Sequence, residues 1–179
     1  MSSHNIIFRI RIVPIGSIDT ALIVWLKQNL ELHNNYRVFI EPPQDIPRGA
    51  YEKQRDQYLG DAILAFLRAL RSHTGDTLLG IIDKDCYTDS LSYIFGQASL
   101  KGFEAFISLF RLRSEEYSLN SSVFNMRVIT EAVHELGHTR GLVHCENPHC
   151  VMYFSRSITD TDNKGSRYCR KCKELLSRT

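Results

Sequence analysis

Between Glu131 and Met152 the chain places four of its seven histidines and two of its five cysteines. At about 100° per residue, His134 and His138 on a helix stand about 40° apart around the axis and one turn apart along it, so their imidazoles project the same way. Two imidazoles begin a zinc site, but a catalytic zinc usually takes three protein ligands and leaves one position open. Gly141 supplies the route to the third: glycine tolerates the left-handed conformation that ends a helix, which turns the chain so that His144 comes back toward the first two. Glu135 lies about 60° from His138 on the same scale and faces the same cleft, where a carboxylate can act as general base toward water. A lone histidine, or one pair at this spacing, reads as the polar face of an amphipathic helix. Three histidines, the glutamate and the glycine all in position favour the metal. His149 is a rival ligand or a surface residue, and His4, His33 and His73 have no partner nearby and are expected in solvent.

The cysteines form a second pattern. Cys145-x4-Cys150 and Cys169-x-x-Cys172 are two pairs separated by eighteen residues, a layout that suits a structural zinc held by four thiolates. Two disulfides are the alternative, disfavoured in a reducing compartment. Four thiolates around one dication carry a net double negative charge, which Arg167, Arg170, Lys171 and Lys173 can offset, so that basic cluster needs no nucleic acid to explain it. Cys86 stands apart from any histidine in sequence and reads as a small semi-buried residue. Since Cys145 follows His144 directly, the two metal sites share one stretch of backbone.

These residues need elements to hold them. A capping serine, Ser121 or Ser122, opens a helix that buries Phe124, Val128, Ile129, Ala132, Val133 and Leu136 and runs to Thr139 or Arg140. Upstream, Ile6 to Val13 suits a strand, with Ser17 as a candidate cap for a helix whose apolar positions are Ile18, Leu22, Trp25, Leu26 and Leu30. The segment Tyr36 to Ile40 reads as a second strand, Arg55 to Arg71 as a second helix and Thr77 to Asp83 as a third strand, the alternation of parallel strands with crossovers. Two further strands then follow too closely to be parallel to each other, so at least one strand of the sheet should run antiparallel. The C-terminal cysteines should tie a last short helix against the histidine site.

The composition, 43% hydrophobic and 23% charged with a formal charge of +2, is that of an ordinary soluble domain and selects no acidic partner. Arg9 and Arg11 interrupt the first apolar stretch, so no signal peptide is expected, and no run approaches the roughly 18 apolar residues of a membrane span. The chain reads as one cytoplasmic domain, 1–179, with a four-cysteine subsite at 145–172, monomeric and free of membrane.

The string His134-Glu135-x-x-His138-x-x-Gly141-x-x-His144 is the metzincin signature. Together with Cys145, Cys150, Met152, Cys169 and Cys172 it resembles the archaemetzincins. The resemblance covers 39 residues, His134 to Cys172 (172 − 134 + 1). It implies an α+β fold with a mixed five-stranded sheet, mostly parallel, whose antiparallel edge strand lines the cleft; Tyr93 to Ser99 is the candidate for that strand. It further implies Met152 in a tight turn beneath the histidines, two zinc ions per chain, and a peptidase, with aminopeptidase-like activity attributed to some relatives. Without an apparent zymogen segment ahead of the first strand, latency by propeptide is not expected. The expectation is therefore a zinc-dependent peptidase acting on peptide or protein substrates. The alternative is a non-catalytic zinc module whose cysteine knuckle binds protein or nucleic acid.

Overall fold

The computed structural model describes residues 8–34, 36–113 and 122–178, with the side chains of 33 and 34 set aside. Its main sheet contains β1 (Phe8–Ile15), β2 (Tyr36–Ile40), β5 (Thr77–Ile82), β8 (Gly96–Ala98) and β9 (Glu104–Ser108), in the order β2-β1-β5-β9-β8. The first four neighbours pair in parallel, and β8 runs antiparallel to β9 at the edge in the register Gly96 to Ile107 and Ala98 to Ala105. The mixed sheet with one antiparallel edge is thus the one the sequence implied.

Period-two alternation divides the apolar residues between the two faces. Ile10, Ile12, Leu79, Ile81, Ala105 and Ile107 face one core, and Val13, Ile15, Leu78, Ile82 and Phe106 face the other. Helices α1 (Thr20–Asn34) and α3 (Ser122–Thr139) cover the first face, α3 through the apolar stripe read from its sequence. Helix α2 (Gly60–Leu70) covers the second with Ile63, Leu64 and Leu67. The two arginines of β1 do not interrupt the sheet, because Arg9 and Arg11 both reach the buried carboxylate of Asp76, at 2.7 and 2.6 Å.

Several boundaries differ from the sequence reading. The first strand extends to Ile15, and Ile6 and Ile7 lie outside the described residues. The cap of α1 is Asp19, whose Oδ1 accepts from the Ala21 N–H at 2.9 Å, rather than Ser17. Helix α2 starts at Gly60, not Arg55, because Gln57–Leu59 forms β4, which pairs with β3 (Tyr51–Glu52) and β6 (Cys86–Thr88). With β7 (Leu91–Ile94) these make a second, four-stranded sheet of very short strands. Tyr93 and Ile94 therefore belong to β7, and the edge strand β8 keeps only the centre of the expected segment. Ser122 is the first residue of α3, and Ser121 lies outside the described residues. A further helix, α4 (Ile158–Lys164), precedes the C-terminal α5 (Arg170–Leu176) and was not anticipated.

Candidate metal centres and catalytic cleft

Helix α3 passes beneath β8 and β9 and carries His134 and Glu135 into the interior, where they are 5% and 4% exposed. Its end is built as a Schellman turn: Gly141 at φ 88° donates its N–H to the His138 carbonyl at 2.9 Å, and Leu142 donates to the Gly137 carbonyl at 3.0 Å. The turn carries the backbone round so that the His144 ring lies 5.4 Å from that of His134 and 4.9 Å from that of His138, centroid to centroid.

Backbone carbonyls fix both helical imidazoles. The His134 Nδ1–H donates to Val151 O and the His138 Nδ1–H to Leu142 O, each at 2.7 Å. This assignment leaves the Nε2 atoms as lone-pair acceptors, and they face each other at 3.1 Å. Two lone pairs so close repel unless a cation lies between them. A tetrahedral zinc with bonds of about 2.0 to 2.1 Å separates its nitrogen ligands by about 3.3 Å. One ligand atom from each of the three histidines lies within 4.8 Å of the others. Burial, with the Lys164 charge and the neighbouring imidazoles, holds His134 well below the ordinary histidine range; burial also lowers His138 and brings His144 to about 4. All three are therefore neutral at neutral pH, the form that binds metal.

Glu135 lies against the edge strand, so close that a Cβ on Gly96 would come within 2.8 Å of its Cγ and Oε1 and 2.7 Å of the Phe106 carbonyl. Burial, and next the charge of Glu131, raise its carboxyl well above the usual range, with Lys164 acting in the opposite direction. The histidines and Glu135 open onto a cleft of about 810 Å³ lined also by Tyr93, Gln97, Leu100, Val143 and Phe154.

The second cluster is equally compact. Cys145 and Cys169 have their sulfurs 3.8 Å apart, Cys150 and Cys172 theirs 3.7 Å apart, and all four lie within 4.8 Å of one another. Tetrahedral zinc–thiolate bonds of about 2.3 Å place sulfurs about 3.8 Å apart. Burial pushes the Cys150 and Cys172 thiols up; it does the same to Cys169, but hydrogen bonds from the Cys172 backbone and the neighbouring thiols outweigh it and bring Cys169 down to about 7. His149 is exposed and outside both clusters, its N–H donating to Asn147 Oδ1. His73 is exposed, and His4 and the His33 side chain lie outside the described residues. Cys86 is fully buried, its thiol pushed up to about 12 by burial. Arg167, Arg170, Lys171 and Lys173 are all exposed.

Met152 sits in the turn closed by Tyr153 N–H donating to Cys150 O at 2.8 Å, packed beneath α3 with no exposed surface. It leaves no room at Gly137, where a Cβ would stand 2.4 Å from the Met152 Sδ. Gly137→Ala is expected to destabilise by about 1 kcal/mol net, since overpacking of about 1 to 3 kcal/mol outweighs the helix gain of about 1 kcal/mol. A thermal melt shifted downward by a few degrees checks this, and an unchanged or raised midpoint contradicts the packing.

Residues the sequence reading missed complete the site. Tyr168 Oη donates to the Val133 carbonyl at 2.9 Å, tying the second cysteine pair to α3. Glu131 and Lys164 form a buried pair at 3.0 Å in the cleft wall. Glu131 was within reach of sequence reasoning, lying one turn before Glu135; Lys164 left no local signal.

The sequence profile of peptidase family M54 matches residues 42–178. The archaemetzincin of Methanocaldococcus jannaschii is 42% identical over 173 residues, 95% of this chain and 93% of that protein. Among solved structures, archaemetzincin from Methanopyrus kandleri superposes with a TM-score of 0.84 at 33% identity, covering 96% of this chain and 94% of the other. That from Archaeoglobus fulgidus, crystallised with malonate, gives 0.83 at 36% identity, covering 94% and 99%.

Proposed function

This chain belongs to peptidase family M54, the archaemetzincins, and is a zinc-dependent metallopeptidase, from which we propose that His134, His138 and His144 hold the catalytic zinc and Glu135 is the general base. The observation that carries the reading is the pair of carbonyl-fixed imidazoles whose Nε2 lone pairs meet at 3.1 Å, with a buried carboxylate beside them. When bound, zinc supplies Lewis acidity toward the scissile carbonyl and toward water. Glu135 takes a proton from the attacking water and returns it to the leaving nitrogen. A carboxylate buried to this extent is costly without a task, which favours the peptidase over a non-catalytic zinc module. The four cysteines hold a second, structural zinc, so the chain carries two.

Among the described residues β8 is the edge of the sheet, and its outer backbone groups would let an extended substrate add as a further strand beside Glu135. The cleft lining includes Asp61, whose Oδ1 accepts from Gln97 Nε2 at 2.7 Å, and Asp89; a lining carboxylate suits a free N-terminal ammonium, and the aminopeptidase-like mode is proposed on that ground. Among the described residues no helix is long and apolar enough to cross a membrane. Zinc-bound thiolates suit a reducing cytoplasm, and we read the chain as one domain acting as a monomer. Incubation of the zinc-loaded protein with a diverse peptide library, with new N-termini mapped, tests the activity. Cleavage after the first residue supports the aminopeptidase-like mode, internal cleavage replaces it with endopeptidase action, and an uncut library overturns the reading.

A further inference from the structure

We propose that Lys164 is a positioning residue of the histidine site: it clamps the Cys150–Tyr153 turn to α3 and so holds His134 in its metal-facing orientation. The inference rests on the reading of His134 as a zinc ligand. The Lys164 side chain is fully buried, and its ammonium lies 3.0 Å from Glu131 Oε1, the same oxygen that accepts from Thr161 Oγ1 at 3.0 Å. It also donates to the Tyr153 carbonyl at 3.3 Å. The ammonium stands 3.4 Å from His134 Nδ1, but that nitrogen already gives its hydrogen to Val151 O and has no lone pair to offer. The directional bonds of Lys164 therefore go to Glu131 and Tyr153. Val151 and Tyr153 flank Met152 in one turn: the first carbonyl orients the His134 ring, and the second is held by Lys164.

Helix α4 delivers two buried side chains, Thr161 and Lys164, to Glu131, and Lys164 alone reaches on to the Tyr153 carbonyl. Seven residues are too few for a stable isolated helix. This one is held by the reciprocal Ser157–Asp160 capping box and by Arg127, which grips both Asp162 oxygens at 2.7 Å. Lys164 is its last residue, and Gly165 at φ 65° turns the chain away. A buried ion pair is often no more stable than apolar side chains of similar size, so fold stability alone does not account for a lysine here. Its specific contribution is the fixed distance between the turn and the helical turn that carries Glu131, directly ahead of His134 and Glu135. Glu131 also neutralises an ammonium that would otherwise oppose a dication at His134.

The test compares the full-length parent with Glu131→Leu/Lys164→Met. Zinc(II) affinity of the first equivalent released is measured by chelator competition, the thermal midpoint by melting, and the His134 tautomer by ¹⁵N NMR after that equivalent is removed. The double variant should melt within a few degrees of the parent, bind that zinc about 10 to 100-fold more weakly, and lose the single Nδ1–H tautomer. Parent-like zinc affinity and a parent-like His134 signal overturn the role of Lys164. Should the double variant not fold, Lys164→Met alone, which removes the ammonium from Glu131 and Tyr153 and leaves Glu131 its bond from Thr161, carries the same expected and overturning results for zinc affinity and the His134 tautomer. A parent that releases no zinc ahead of the thiolate-bound ion overturns the histidine site itself, whereas parent-like variants beside a normal parent overturn only the positioning role.

Discussion

Glu135→Gln is expected to lower peptide hydrolysis by about 10³-fold or more while zinc content stays at the parent value. General acid–base catalysis is typically worth about 10² to 10⁴, and glutamine matches the shape of glutamate but cannot take a proton from water. Zinc should remain because the donors come from His134, His138 and His144, whose ligand atoms cluster without the carboxylate. The substitution should not harm the fold. A carboxyl raised above its unfolded value, as burial and then Glu131 raise Glu135, binds a proton more readily folded than unfolded. Its contribution to stability is present below the unfolded pKa and is lost as pH rises through the folded one. In the zinc-free chain at neutral pH the glutamine variant should therefore melt no lower than the parent. Metal analysis beside the activity assay checks both halves, and loss of zinc together with activity shows that the role given to Glu135 is wrong.

Cys169→Ser is expected to remove one zinc equivalent and lower the melting midpoint by on the order of 10 °C. Structural zinc in small peptides contributes about 10 to 16 kcal/mol; losing several of these in a chain of this size shifts the midpoint by about 2 to 4 °C per kcal/mol. Cys169 is also the cap residue of α5, and its N–H donates to the Cys150 sulfur at 3.3 Å, so the C-terminal helix should loosen first. The damage should spread to the cleft. Cys145 adjoins His144, its N–H donates to Met152 O at 2.9 Å, and Val151 O orients His134. If the midpoint and the zinc count both match the parent, the four-thiolate reading fails.

Much of the site was legible in the sequence because helix geometry sets the ligand spacing. Two histidines one turn apart, a glycine that can take positive φ and a third histidine leave few other arrangements, and the structure gathers all three rings. The parallel strands were legible for a similar reason: β5 is buried along its whole length and reads as an unbroken apolar run. The small sheet was not, because strands of two to four residues carry too little periodicity to separate from turns. The start of α2 is not legible because Arg55–Tyr58 has helical composition, whereas Gln57 is held in extended backbone by pairing with Glu52 of β3 and by its side-chain bond to Asp85 at 3.0 Å, and Tyr58 and Leu59 by pairing with β6. Lys164 was invisible because a lysine at the end of a short polar segment reads as solvent-facing. Only the arrival of Glu131 from thirty-three residues earlier (164 − 131) makes its burial possible.

One stretch of chain is proposed to hold two metal sites with different tasks: an open histidine site that performs hydrolysis and a closed thiolate site that holds the fold. Zinc counted through a chelator titration, with circular dichroism and peptide hydrolysis followed on the same samples, tests it directly. Three neutral imidazoles with an open position should yield their metal before four thiolates do. One equivalent should leave together with all hydrolytic activity while the dichroism is unchanged, activity should return when zinc is restored, and the second equivalent should leave only as the chain unfolds. A single step that removes both metals and the fold, or activity that survives loss of the first equivalent, would overturn the division into two sites.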